Sequence, residues 1–354
     1  MHIPDGYLSP ATCATMGAAM VPVWLTAAQR VKRVVKNRYV PLLALAAAYS
    51  FMVMMFNVPI PDGTTAHAVG AVLIAVLLGP WAACIAVSVA LLIQALFFGD
   101  GGVLAYGANA FNMAFVMPFV GYGVYRLTAG RSPLLSTRRA VAAAAGSYVG
   151  INAAALCAAV EFGLQPELFH TADGTPLYAP FHLSQTIPAM ALAHLTVAGF
   201  VDAALTLAIV TYIQRANPAL LRINHADLDP AIPRTPRRLG WGWAAAGIAT
   251  MVLLAPLGLL APGGAFGEGA PASLDLGKYG LSAIPAGLGR YADWWNHALL
   301  GGYGFAGGRH EVLGYVLSAL VGIAAISLVV LALAAALGIT RTRRGRERAP
   351  AGAP

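Results

Sequence analysis

The chain has 354 residues, 58% hydrophobic and 10% charged, with a formal net charge of +8 and a mean hydropathy of +0.70. Soluble domains carry about 25% charged residues, so the composition excludes an ordinary soluble fold and predicts an all-α, polytopic membrane protein in contact with lipid. The basic excess is scattered over separate loops, whereas a nucleic-acid partner would ask for one basic stripe.

The opening MHIPDGYLSP is polar, lacks Lys and Arg, and places a histidine directly after the first methionine. A signal peptide has the reverse order, basic residues before the apolar run, so this N-terminus is expected to be retained. Apolar segments then follow at approximately 8–29, 40–57, 66–79, 80–98, 104–128, 139–160, 184–213, 241–262 and 312–339. Most approach the ~20 residues that cross a hydrocarbon core of ~30 Å. The third is short, and the Gly79–Trp81 stretch predicts a tight turn into the fourth. Cys13, Cys84 and Cys157 lie in or beside apolar runs without CxxC spacing and read as packing residues.

Lys and Arg of short loops mark the cytoplasmic side. They cluster at Arg30, Lys32, Arg33, Lys36 and Arg38; at Arg126, Arg131, Arg138 and Arg139; at Arg215, Arg222, Arg234, Arg237 and Arg238; and in the tail from Arg341 to Arg348. The alternate loops carry none, apart from Lys278, Arg290 and Arg309 in one long loop. The expected topology is therefore a multi-pass plasma-membrane protein, N-terminus outside and C-terminus in the cytoplasm. Residues 1–214 form a seven-span unit, 215–240 a cytoplasmic linker, 241–340 a two-span unit around the outer loop 263–311, and 341–354 a basic tail.

Energy-transducing and hydrolytic motifs are missing from the sequence: there is no GxxxxGK[ST] and no HExxH. Within the spans, Asp202 and His194 are the conspicuous ionisable residues; a proton-coupled carrier would carry more acids at that depth, and an interhelical hydrogen bond explains Asp202 as well. His170, His182, His225, His297 and His310 fall in or beside loops and read as solvated or structural. The remaining candidates share the outer side: Met1, His2, His67, the turns at Pro4–Gly6 and Pro61–Gly63, and the glycine-rich turn Gly99–Gly102. A free Met-His terminus can chelate one cation through its α-amine, the deprotonated His2 amide nitrogen and the His2 imidazole Nδ1. A second imidazole, such as His67, would complete a planar four-nitrogen set. Zinc prefers tetrahedral sites and calcium and magnesium prefer oxygen, whereas planar nitrogen ligation suits Ni(II) or Cu(II). Both histidines also admit a structural role at the chain terminus and at a helix start. A channel is disfavoured, because such a chelate holds its ion too tightly for conduction.

MHIPDGYLSP, FNVPIPDGTTAHAVG, LGPWAA, QALFFGDGGVLAYGANAFNMA and HLTVAGFVDA together resemble the NikM/CbiM family, the substrate-binding (S) components of nickel and cobalt energy-coupling factor transporters. The likeness runs over residues 1 to about 213, and the last two spans resemble a fused NikN-type module that lacks the PDGLE string. The resemblance implies metal ligation by Met1, His2 and His67 and no resident cofactor; high-affinity uptake of Ni(2+) is expected from the planar nitrogen set, with Co(2+) as the alternative substrate. It also implies a transmembrane coupling T subunit and a pair of cytoplasmic ABC-type ATPases, so the chain itself is expected to be a transporter subunit and not an enzyme. Where the family often has Glu, this chain has Asp202. Ala14 and Ala18 on the first span offer a small-residue face for the T subunit. Gln94, Asn109 and Asn112 are candidates to hydrogen-bond a ligating imidazole from behind; helix–helix contact is the competing role for each.

Overall fold

The computed structural model describes residues 1–34, 39–60, 64–229, 231–232, 241–261, 264–305 and 307–339. The Pro61–Gly63 turn, Lys36, Arg38, Arg234, Arg237, Arg238 and the 341–354 tail lie outside the described residues.

The helices follow the apolar runs. They are α1 (Pro10–Val34), α2 (Val40–Met54), α3 (Ala71–Leu78), α4 (Pro80–Ile93), α5 (Tyr106–Asn109), α6 (Met117–Ala129), α7 (Thr137–Gly163), α8 (Gln165–Leu168), α9 (Leu183–Ala193), α10 (Gly199–Ala216), α11 (Trp241–Leu254), α12 (Ala286–Tyr291) and α13 (Glu311–Ala336). Wider π-helical turns at Gln94–Phe98, Ala110–Val116 and His194–Ala198 extend α4 and join α5 to α6 and α9 to α10. Among the described residues, five helical runs are long and apolar enough to cross a membrane: Pro10–Lys32, Pro80–Phe98, Thr137–Leu168, Leu183–Ala216 and Glu311–Ala336. α7 lies along α6, α9 and α10, and α13 lies along α2 and α4. Glycines set the closest approaches: a Cβ on Gly146 would stand 2.4 Å from the Gly121 carbonyl oxygen, so α6 and α7 touch through their backbones.

The segment expected at 66–79 is only half helical. A two-residue hairpin pairs β1 (Val58–Pro59) with β2 (Thr65–Ala66), extended chain continues to Gly70, and α3 then has 8 residues, about 12 Å at 1.5 Å per residue. Non-helical backbone survives inside a membrane protein only where other groups satisfy it. Here Asp202, fully buried near the middle of Leu183–Ala216, accepts the Val69 and Gly70 N–H groups at 2.9 and 2.8 Å. It also accepts the Ser147 hydroxyl from α7. Gly70 turns the chain into α3 at φ 72°, directly beneath the Tyr49 ring. Gly79, at φ 90°, hinges α3 into α4 as the Gly79–Trp81 stretch predicts.

Loops segregate to two ends. At one end, Asp5 meets residues 103–105, Ser9 meets Gln165, Tyr7 meets Ala179, and Trp295 and Leu300 meet Leu96 and Phe97. At the opposite end the Pro218–Ile223 turn is followed by Asn224, which donates to Ala75 O and Val76 O, and by Asp229, which accepts the Leu134 N–H. There the buried Arg139 donates to the Tyr125 hydroxyl, which donates to His225 Nε2 at 3.0 Å. Among the described residues, the loops without Lys or Arg thus gather at one end and the basic 126–139 and 215–229 stretches at the other. The first part of the 215–240 stretch is a docked cap on that second end.

Candidate metal centre

The N-terminal nine residues are pinned at every second or third position. Asn109 Oδ1 accepts the Ile3 N–H at 2.8 Å and its Nδ2 donates to the Ile3 carbonyl at 3.0 Å. The Asp5 carboxylate accepts the N–H groups of Val103, Leu104 and Ala105, the free donors ahead of α5. Gly6 turns at φ +87°, where a Cβ would stand 2.7 Å from the Leu288 carbonyl oxygen of α12. Tyr7 then packs beside Phe162 and Phe181. The His-Ile-Pro-Asp-Gly-Tyr opening is therefore a plug: acid and glycine fix its turn, the aromatic fixes its depth, and the first two residues are carried inward.

That plug buries His2 to 2% exposure, against His67 at 3%. His2 Nδ1 and His67 Nε2 face each other at 3.1 Å, with ring centroids 4.8 Å apart. Metal–nitrogen bonds of about 2.0 Å put adjacent corners of a square about 2.8 Å apart, so the two ring nitrogens stand close to one edge of a planar site. His67 Nδ1–H donates to the Ala68 carbonyl at 3.1 Å, which leaves Nε2 with its lone pair toward His2. Burial is the main reason the His2 ring is held down at about 4, with the N-terminal ammonium adding to the effect against the pull of Glu268; the ring is neutral and able to ligate at pH 7.

Two acids stand beside these nitrogens. Asp100 Oδ1 lies 3.3 Å from His2 Nδ1. Glu268 Oε1 accepts from the Met1 ammonium at 2.6 Å and from the His2 backbone N–H at 2.8 Å. One ligand atom each from His2, His67 and Glu268 fall within 4.8 Å of one another. Burial pushes the Glu268 carboxyl upward, but the ammonium and the two imidazoles outweigh it and hold it at about 2. A carboxyl lowered in this way adds stability above its ordinary 4.5, lost as the pH falls from there toward 2.

The three candidates for support behave differently. Gln94 Nε2 donates to the Tyr303 hydroxyl at 3.0 Å. Its Oε1 and His2 Nε2 are both buried and unpartnered, and the side chain is close enough to act on the ring. Asn109, a candidate for either an imidazole or a helix contact, grips the main chain at Ile3, whose backbone offers it both a donor and an acceptor. Asn112 turns away to Glu161 at 2.8 Å, because its position on the π-helical turn points toward α7. Asn109→Ala is expected to weaken Ni(II) binding about 10- to 100-fold by loosening residues 1–3, read by chelator competition on the purified chain.

Glu268, Asp100 and Tyr303 escape a reading of the sequence. Asp100 sits in a stretch read only as a glycine turn, and Glu268 lies in Gly267–Gly269, without periodicity or motif and beyond the end of the family-like stretch at about 213. His194 donates through Nδ1 to Met190 O at 2.8 Å and does not share a contact with Asp202 among those described.

Residues 2–220 match the family model CbiM, described as a cobalt uptake substrate-specific transmembrane region. The chain is similar to the fused nickel transport protein NikMN of Rhodobacter capsulatus, 51% identical over 338 residues, 92% of this chain and 95% of the relative. It is also similar to the probable fused nickel transport protein LarMN of Lactiplantibacillus plantarum, 49% identical over 325 residues, 90% of this chain and 93% of the relative. Among solved structures, a truncated transition metal transporter is 60% identical, covers 60% of this chain and 98% of its own, and superposes with a TM-score of 0.56. A family match over more than half the sequence, and a relative half identical along nearly all of it, make the chain a member of the CbiM family.

Proposed function

We propose that this chain captures Ni(II) at the outer face of the plasma membrane, as the substrate-binding component of an ATP-driven energy-coupling factor transporter. The ligands are the Met1 amine, the His2 amide and Nδ1, and His67 Nε2. The observation that carries the reading is the buried pair of ring nitrogens 3.1 Å apart beside the converging N–H groups of residues 1 and 2. Planar nitrogen ligation favours nickel over cobalt, and the two full-length relatives are named for nickel; cobalt, which the family description names, is the alternative substrate. Gln94 Oε1 supports the loaded site by accepting from His2 Nε2–H. A T subunit and two ABC-type ATPases drive the cycle from the cytoplasmic side. In this reading 1–214 forms seven spans and 241–340 two, with the N-terminus outside and the C-terminus inside; the gathering of the described loops free of Lys and Arg at the metal-centre end supports that orientation.

The test is metal analysis of the purified chain after competition between equal Ni(II) and Co(II). Nickel should be retained and should show the visible d–d absorption of a planar d8 centre. Preferential retention of cobalt, or nickel bound without that band, sinks the reading. A proton-coupled carrier is the rival, and the saturation of Asp202 by two backbone N–H groups and a hydroxyl speaks for a structural acid.

A further inference from the structure

Glu268 comes from the C-terminal part of the chain, yet it lies in the middle of a site otherwise built from the N-terminal part. Its turn is held by the Glu268 N–H donating to Ala265 O at 3.0 Å, by the Tyr7 hydroxyl donating to Gly269 O at 2.7 Å, and by Phe266 against Phe162 and Phe181. From there a single oxygen receives both N–H donors that begin the Met-His chelate. A metal bonded to the His2 nitrogen stands about 2.0 Å out on the side of the present N–H. The Glu268 oxygen already stands 2.8 Å from that nitrogen on the same side, so metal and carboxylate claim one place.

We propose that Glu268 is a displaceable stand-in for the cation: it holds the N-terminal nitrogens converged while the site is empty and must leave when metal enters, so that the 264–269 turn reports metal occupancy. The inference rests on the metal-capture reading above and adds a role for the C-terminal part of the chain. In the metal-free state a negatively charged oxygen holds the two donors together and keeps residues 1 and 2 folded into the bundle. On loading, the cation takes over both nitrogens, and the two protons they give up, one from the ammonium and one from the amide, pass to the surrounding water. The carboxylate loses its two partners, and the turn retains only the Tyr7 bond and the aromatic contacts. Opening of the stand-in then precedes capture, and the observed rate carries the small fraction of time the site is open.

The experiment uses the full chain in detergent, with Ni(II) as the probe. Glu268→Gln keeps the shape and one acceptor but removes the charge; a hydrogen bond to a charged group outweighs a neutral one by about tenfold in population. E268Q should therefore take up Ni(II) about tenfold faster than the parent in stopped flow, with an unchanged d–d spectrum. In the unmodified chain, Ni(II) should raise amide exchange of peptides covering 264–275 several-fold, a measurement that needs no variant. Slower or unchanged uptake by E268Q, an altered spectrum that makes Glu268 a ligand, or a turn equally or better protected with nickel overturns the proposal. His2→Ala separates the two levels: if it binds Ni(II) as the parent does, the capture reading itself fails, whatever Glu268 does.

Discussion

A chain whose Met1 amine is acetylated is expected to bind Ni(II) at least about a thousandfold more weakly than the parent, the equivalent of roughly 4 kcal/mol. The amine and amide of adjacent residues close a five-membered chelate ring, and the amide and Nδ1 of one histidine close a six-membered one. Acetylation leaves every side chain available and removes only the first nitrogen of this set. The acetyl group also pushes against a plug with no slack: Asn109 holds Ile3 by both its N–H and its carbonyl, and Asp5 is anchored on three backbone donors. It must bulge into the site, where His2 and His67 are already almost wholly buried. Chelator competition on the purified chain reads the affinity. Binding within tenfold of the parent would show that the terminal amine is not a ligand.

The second large effect is expected at Asp202, some distance from the metal. Asp202→Ala strands the Val69 and Gly70 N–H groups in a dry interior, each at a cost of about 1–3 kcal/mol, and it frees the extended chain that presents His67. A loss of roughly 2–5 kcal/mol of stability, seen as a lowered thermal midpoint, should accompany much weaker nickel capture. Asp202→Asn is expected to be mild: its carbonyl oxygen still accepts the two N–H groups, and its amide can donate to the Ser147 oxygen. The pair of variants separates an anchoring acid from a proton-carrying one. A carrier would lose uptake in D202N while staying folded; the anchor keeps uptake in D202N and loses it, with stability, in D202A.

Fold class, the helical runs and the sorting of loops to two ends were legible in the sequence, because hydropathy and the placement of Lys and Arg are local properties of each segment. The pairing of His2 with His67 was legible for a related reason: a histidine after the first methionine has one distinctive chelating chemistry, and the family-like motifs around both positions are contiguous. Less was legible where one residue serves another element. Asp202 reads as a mid-span acid of uncertain use, and only the docking of 64–70 against α10 shows what it holds. Asn109 and Asn112 have the same spacing rationale, yet the π-helical turn sends one to the Ile3 backbone and the other to Glu161.

By itself, then, the order of residues determined a membrane bundle and nominated the nitrogens proposed as ligands of a planar-coordinating ion. The tertiary structure alone decided that the segment at 66–79 is half extended, that the plug is gripped through its main chain, and that a carboxylate 266 positions away from His2 closes over the first two nitrogens. The physical reason is range. Hydropathy and chelate spacing are written along a few consecutive residues, whereas buried donors are satisfied by whichever acceptor the packing of distant helices and loops delivers.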